Sequence, residues 1–381
     1  MKIAGILRKT RKFFSQYEPS IEILVSKNAL IHNFNEYKKK YPKLSFSPVL
    51  KSNAYGHGLI EVARIFDKEK APFFTVDSLF EARTLRSEGI QSKILIIGYT
   101  NPKNVERSKI SDTSFTITGL DQLKEISKVI KNKKTFHLKI DTGINRQGIL
   151  LNQVDEAIEI INGNKYIILE GICSHFADAD DANETFTKLQ IDRWNEIADI
   201  FKNNFESVKY YHVSATAGTY YTDNVYANVA RLGIGLYGIN TSLSKNLDLK
   251  PSLEMRSVVG SVKIIPEGEY VGYNITYRTK NITKIATVPV GYFEGIDRRL
   301  SNCGYFKIDG FVCPIVGRVS MNITSVDVTS VPDVKLGDKI VVISSNRNDI
   351  NSVEKIAKFA NSIPYEIFVH IPQHLRRVVV E

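Results

Sequence analysis

The sequence predicts an α/β protein: a (β/α)8 barrel of the TIM type followed by a C-terminal, mainly-β domain. Two observations carry this. Between residues 20 and 245, eight short apolar runs alternate with amphipathic stretches of helical period. From residue 246 onward the texture changes to short segments rich in β-branched residues, separated by turn signals. The expected organisation is a basic N-terminal extension over residues 1–19, a barrel over 20–245 and a β domain over 246–381.

The elements follow in order. Residues 1–17 hold Lys2, Arg8, Lys9, Arg11 and Lys12 and no acid. Their apolar part, Ile3-Ala4-Gly5-Ile6-Leu7, is shorter than the ~7–15 residues of a secretory core, so the segment reads as a floppy basic leader. Barrel strands are expected at 46–50, 73–76, 94–97, 114–117, 135–140, 167–173, 209–213 and 233–237. Leu59, Val62, Ala63 and Phe66 recur at the spacing of one helix face, as do Trp194, Ile197, Ala198 and Phe201. An open doubly wound sheet fits less well, because no GxGxxG follows the first strand. In the β domain, strands are expected at 258–265, 270–277, 285–289, 305–308, 312–316, 323–328 and 339–343. Turns fall at Pro266-Glu267-Gly268, Asp309-Gly310 and Gly337-Asp338. One closing helix is expected, capped by Asn351 with Glu354 three residues on, its Val353, Ile356, Ala357 and Ala360 facing inward.

Composition narrows the function. Apolar residues make up 43% and charged residues 24%, which excludes a disordered or fibrous chain. No run of ~18 apolar residues occurs, so no transmembrane helix is expected. Three cysteines, Cys173, Cys303 and Cys313, form no CxxC or Cys/His cluster, which argues against a disulfide scaffold and a metal site and for a reducing, cytoplasmic compartment. The net charge of +10 is scattered among acids, as in Asp67-Lys68-Glu69-Lys70, and no basic-aromatic interleaving marks a nucleic-acid surface.

In a barrel, chemistry gathers where strands run into the loops that follow them. There stand Lys51 through Gly58, Lys139-Ile140-Asp141-Thr142-Gly143 with Arg146, Ser174-His175, His212 with Thr216, and Arg231-Leu232-Gly233-Ile234 opening the last strand. Cations, hydroxyls and glycine-rich turns suit an anionic cofactor handled by a lysine. A lysine kept among cations loses its proton more easily and can condense with an aldehyde, as pyridoxal phosphate would offer. On the residues alone, Lys51 reads equally as a solvated rim charge, and Tyr273 as one of 18 tyrosines.

Pro48-Val49-Leu50-Lys51-Ser52-Asn53-Ala54-Tyr55-Gly56-His57-Gly58 closely resembles the cofactor-lysine signature of alanine racemases, pyridoxal-phosphate enzymes of fold-type III. Further motifs resemble the family in its order: Leu138-Lys139-Ile140-Asp141-Thr142-Gly143 with Arg146, Glu170-Gly171 with His175, Arg231-Leu232-Gly233-Ile234-Gly235-Leu236-Tyr237-Gly238, Val271-Gly272-Tyr273, Val290-Gly291-Tyr292, Val316-Gly317-Arg318 with Met321, and Pro364-Tyr365-Glu366. The likeness runs from about residue 20 to the end.

The resemblance implies a racemase that interconverts L- and D-alanine by a two-base mechanism, supplying D-alanine for peptidoglycan. It implies that Lys51 binds the cofactor and serves as one base, and that Tyr273, donated in trans within a head-to-tail homodimer, is the other. By the same resemblance, Tyr55, Thr216, Tyr365 and the amides of Gly233 and Ile234 meet the phosphate, His175 stacks on the ring, and Arg231, oriented by His212, faces the ring nitrogen. Arg146 would bind the substrate carboxylate, with Tyr292 and Met321 on the substrate side, and Lys139 aligns with a lysine often carbamylated in the family. The chain departs from the family at Asn145, Ala215-Thr216, Phe293-Glu294-Gly295 and Ser320-Met321-Asn322. The last change removes an acid near the substrate entrance and leaves serine or broader specificity open. A non-catalytic carrier of the same cofactor is the other alternative, and it would leave the β domain without a role.

Overall fold

The computed structural model describes residues 18–241 and 247–381. The expected basic leader at 1–17 lies outside the described residues. The first strand is β1 (Glu22–Ser26), and the helix Lys27–Lys40 follows it directly, capped by the Ser26 hydroxyl, which accepts from Ala29 N. Eight parallel strands then appear: β2 (Ser45–Pro48), β3 (Phe74–Val76), β4 (Ile94–Ile96), β5 (Thr113–Ile117), β6 (Lys134–Lys139), β7 (Ile167–Cys173), β8 (Tyr210–His212) and β9 (Val229–Leu232). β3 to β8 lie side by side in chain order, and β2 pairs with β9.

Single contacts close the ring. Leu50 N donates to Thr75 O at 2.8 Å, joining the end of β2 to β3, and Arg231 N donates to Ser214 O at 3.0 Å, joining β9 to the end of β8. β3 and β4 are buried at every position, because barrel strands are covered on both faces. Outside, the helix Leu59–Phe66 buries Leu59, Val62, Ala63 and Phe66, the face its spacing predicts. The helix Thr185–Asn204 likewise buries Trp194, Ile197, Ala198 and Phe201. Each such side chain stabilises the fold by about 1.5–3 kcal/mol.

The eighth barrel strand differs from expectation. It is β9, Val229–Leu232, and residues 233–237 form turns beyond it. Gly233, Gly235 and Gly238 let this run coil, and Gly238 takes φ 96°. Its apolar side chains are buried as a loop, and Asn33 Nδ2 satisfies the freed carbonyl of Leu236 at 3.0 Å. Arg231 therefore sits on the strand, and Gly233 and Ile234 on the loop that follows it.

The C-terminal part contains β10 (Leu253–Val258), β11 (Ser261–Ile265), β12 (Tyr270–Val271), β13 (Tyr277–Arg278), β14 (Thr283–Val288), β15 (Tyr305–Ile308), β16 (Phe311–Pro314), β17 (Thr324–Asp327), β18 (Lys339–Ile343) and β19 (Arg376–Val380). Its main sheet runs β16-β15-β18-β10-β1-β19, so the first strand of the chain is stitched into it, antiparallel to β10 and parallel to β19. β11, β14 and β17 make a second sheet, and β12 and β13 a short ribbon.

Three further expectations are corrected. The strand at 258–265 is two strands in different sheets, broken at Val259-Gly260. The strand at 270–277 is interrupted by a 3-10 turn, Tyr273–Ile275, because Gly272 (φ 76°) and Asn274 (φ 61°) adopt left-handed backbone. The closing helix Val353–Phe359 starts after Ser352, while Asn351 is buried and donates from Nδ2 to Val341 O at 2.9 Å, tying the loop to β18. A second short helix, Pro364–Val369, and β19 were not expected.

Candidate active site

A cavity of about 390 Å³ opens at the C-terminal ends of the barrel strands. Lys51, Tyr55, Arg146, His175, Thr216, Arg231, Gly233, Ile234 and Tyr365 line it. An adjoining hollow shares Lys51, Arg146, His175 and Arg231 and adds Lys139. The structure thus brings together every candidate residue from the barrel rim, with His212 buried behind Arg231. Tyr365 enters from the helix Pro364–Val369.

Lys51 opens a turn of unusual backbone. Ser52, Asn53, Ala54 and Tyr55 all have φ between 51° and 56°. Left-handed backbone costs an L-residue roughly 1–2 kcal/mol, so this turn stores about 4–8 kcal/mol. Its surroundings offset that cost. Glu81 Oε1 accepts from Ser52 N at 2.7 Å, and Asn53 Oδ1 accepts from Leu59 N at 2.9 Å. The turn swings Tyr55 inward, against Tyr237 (ring centroids 5.0 Å apart) and Tyr365 (6.0 Å).

One end of the cavity suits an anion. A Cβ built on Gly233 would lie 2.8 Å from Tyr55 Oη and 4.0 Å from Thr216 Oγ1, so two hydroxyls converge on a glycine that leaves room between them. Thr216 Oγ1 accepts from Gly235 N at 3.2 Å. Burial pushes the Tyr55 phenol up to about 12, with Arg231 opposing, so it stays a neutral donor.

The other end is set by Arg231, 7% exposed. Nη1 donates to His212 Nδ1 at 2.6 Å, and Nη2 donates to Ser174 O at 2.7 Å and His175 Nδ1 at 3.1 Å. A guanidinium only donates. His212 Nδ1 must therefore accept, which puts its hydrogen on Nε2, facing His137 Nδ1 at 2.7 Å. The His137 hydrogen then sits on Nε2, 3.6 Å from Glu170 Oε2. Glu170 also pairs with Lys93 and accepts from Ser114 Oγ at 3.0 Å. One donor-to-acceptor direction therefore runs through the barrel core from Arg231 to Glu170. Burial and nearby cations lower the pKa of all three histidines, His175 to about 3, so each is neutral.

Sequence reasoning missed His137, Glu170 and Lys93. The available signal was strand period: His137 and Lys139 are two apart on β6, hence on one face. Gly171 makes room for the first, since a Cβ there would lie 2.6 Å from His137 Nδ1. Burial lowers the Lys139 pKa, and Arg231 and Arg146 add to the effect against the opposing Cys173.

Tyr273, Tyr292 and Met321 lie elsewhere. They share a second depression with Asn274 and Arg298, which has no lining residue in common with the Lys51 cavity. Tyr273 is 69% exposed. Two loops hold this depression: Tyr292 N donates to Ser320 O at 3.0 Å, and Phe293 N donates to Met321 O at 2.9 Å. Beneath them, Glu294 accepts from Asn322 Nδ2 at 2.7 Å and from Gly291 N at 2.8 Å.

Comparison with known proteins covers both parts of the chain. The family model for the alanine racemase N-terminal domain matches residues 25–241, and that for the alanine racemase C-terminal domain matches 252–379. The chain is 36% identical over 360 residues to alanine racemase 1 of Caldanaerobacter subterraneus subsp. tengcongensis, covering 92% of each. It is 33% identical to the alanine racemase of Lactobacillus gasseri, covering 96% of this chain and 98% of the relative. Among solved structures, alanine racemase from Bacillus anthracis with bound L-Ala-P superposes with a TM-score of 0.89 at 28% identity, covering 96% of each chain. The enzyme from Clostridium difficile 630 does so with a TM-score of 0.89 at 30% identity, covering 96% and 97%.

Proposed function

The chain belongs to the alanine racemase family, and from that premise we propose that it interconverts L- and D-alanine with pyridoxal phosphate held at Lys51. The observation that carries this is the single cavity in which a lysine amine, a two-hydroxyl cradle at Gly233 and a buried arginine line one wall after another.

The residues fit the cofactor. Tyr55, Thr216, Tyr365 and the amides of Gly233 and Ile234 would hold the phosphate, His175 would cover the ring, and Lys51 would bind the aldehyde carbon. Among the described residues no acceptor meets the Arg231 Nε–H, which leaves a fixed donor for a ring nitrogen. Bound there, the cofactor would supply an electron sink that acidifies the substrate Cα–H.

The chain's own residues supply the rest. Arg231 stays charged, so it keeps a ring nitrogen from taking up a proton, which favours return of the proton to Cα over other fates. The Lys51 amine holds and moves a proton on one face of Cα. The Tyr273 hydroxyl of a second copy does so on the other, which explains why Tyr273 and Lys51 stand in separate hollows of one chain. Arg146 orients the substrate carboxylate by charge-assisted hydrogen bonds. The lowered pKa of Lys139 raises its neutral fraction, the form that adds carbon dioxide; the resulting carbamate would replace a cation beside Arg146 with an anion.

In this reading the enzyme is a head-to-tail dimer that supplies D-alanine for peptidoglycan. Among the described residues no helix is long and apolar enough to cross a membrane. The test is a chiral assay over a panel of L-amino acids with added pyridoxal phosphate. Racemisation of alanine ahead of serine and larger substrates is expected; no racemisation of any amino acid would overturn the proposal.

A further inference from the structure

We propose that Arg377 is a positioning residue that sets the spacing between the Lys51 amine and the Tyr365 hydroxyl. It lies on β19, far along the chain from Lys51, and engages all five of its N–H donors with main-chain carbonyls. Nε and Nη2 donate to Gly56 O at 3.1 and 2.8 Å. Nη2 also donates to Ile371 O at 3.2 Å, and Nη1 to Leu375 O at 2.7 Å and to Pro372 O. Among the described residues no carboxylate pairs with it.

These carbonyls belong to the two segments that carry the cofactor-facing groups. Gly56 closes the left-handed turn begun after Lys51, its N–H donating to Ser52 O at 3.2 Å. Ile371 and Pro372 follow the helix that carries Tyr365, and Ile371 N donates to Phe368 O at 3.2 Å. The two backbones touch: a Cβ on Gly56, at φ 79°, would lie 2.0 Å from Phe368 O. Converging carbonyl oxygens repel one another, and the guanidinium between them turns that repulsion into a fixed joint. Lysine offers at most three donors without the planar fork, so it serves this joint only in part. Burial lowers the Arg377 pKa only to about 10, so the cation persists at neutral pH.

The consequence follows from bivalency. Lys51 and Tyr365 grip opposite ends of one ligand, so the gain from the phosphate depends on their registry. With the joint loosened, the imine contact survives while the phosphate contributes less.

This inference rests on the proposed cofactor roles of Lys51 and Tyr365. The test is titration of the wild-type chain and the Arg377→Lys and Arg377→Met variants with pyridoxal phosphate and with phosphate-free pyridoxal, reading the imine absorbance. The ratio of the two affinities is expected to fall about tenfold in Arg377→Met and roughly threefold in Arg377→Lys. It should not move in Arg376→Met, a change at the exposed neighbour on the same strand. Should Arg377→Met not fold, Arg377→Lys carries the test. An unchanged ratio, including equal loss of both ligands, overturns the coupling alone. A wild-type chain that forms no imine with either ligand overturns the reading of Lys51 and this coupling with it.

Discussion

Gly233→Ala tests the anion cradle at a single carbon. The new Cβ would stand 2.8 Å from Tyr55 Oη and 3.5 Å from Tyr55 Cζ, closer to the first than real contacts allow. Tyr55 is 9% exposed and wedged against Tyr237 and Tyr365, so its ring has little room to retreat. Overpacking of this kind costs about 1–3 kcal/mol. If the strain is relieved by displacing the phenol, the loss is one hydrogen bond to a charged phosphate, worth about 1.5–3 kcal/mol. Either route lowers affinity for pyridoxal phosphate by roughly 10- to 150-fold. Gly233 does not have left-handed backbone, so the effect is steric rather than conformational. Equilibrium titration of apoprotein measures it, with Gly119→Ala as control, since nothing lies within 4 Å of a Cβ at Gly119. Unchanged affinity in Gly233→Ala would refute the placement of the phosphate.

Other consequences can be measured separately. Tyr273→Phe should slow solvent-isotope wash-in from one alanine enantiomer at least tenfold more than from the other, in line with the 10²–10⁴ contribution of a positioned acid or base; equal slowing would count against two opposed bases. Asn322→Asp would set a second carboxylate beside Glu294, 2.7 Å from the present donor, and loosen the loops bearing Tyr292 and Met321; a several-fold rise in KM with a smaller change in kcat is expected. Burial holds His57 down to about 3 and also lowers His137 and His212, while in the unfolded chain these groups titrate near 6.5. A depressed folded pKa means that the unfolded chain binds more protons below that value. Stability of the apoprotein should therefore fall as pH drops from about 6.5 toward 3, by about 1.4 kcal/mol per pH unit for each histidine kept neutral. Denaturant midpoints across this range would show it, and His57→Gln should flatten the slope; a midpoint that rises on acidification would contradict the assignment.

Much of the barrel could be read from the sequence because its signals are local. Ile94–Ile96 and Ile167–Cys173 are apolar runs between breakers, and the helix faces at Leu59 and Trp194 declare their period. The eighth strand was misplaced because Ile234, Leu236 and Tyr237 are as apolar as a strand, and burial alone does not separate a strand from a packed loop. β1 and β19 escaped for a different reason: they pair with each other from opposite ends of the chain, and short segments carry no mark of a distant partner. The candidate site was readable as a set of motifs, whereas the chain from Arg231 to Glu170 was not. It depends on which side chains meet inside a closed ring, and His137 and Glu170 become neighbours only once β6 and β7 pair.

The central claim is covalent attachment at Lys51. Incubation with pyridoxal phosphate, reduction with borohydride and peptide mass spectrometry locate any stable adduct. The account predicts a pyridoxyl group on the peptide containing Lys51, lost in Lys51→Ala together with the visible band. A reduced adduct on another lysine, with Lys51 unmodified and racemisation intact, would contradict it.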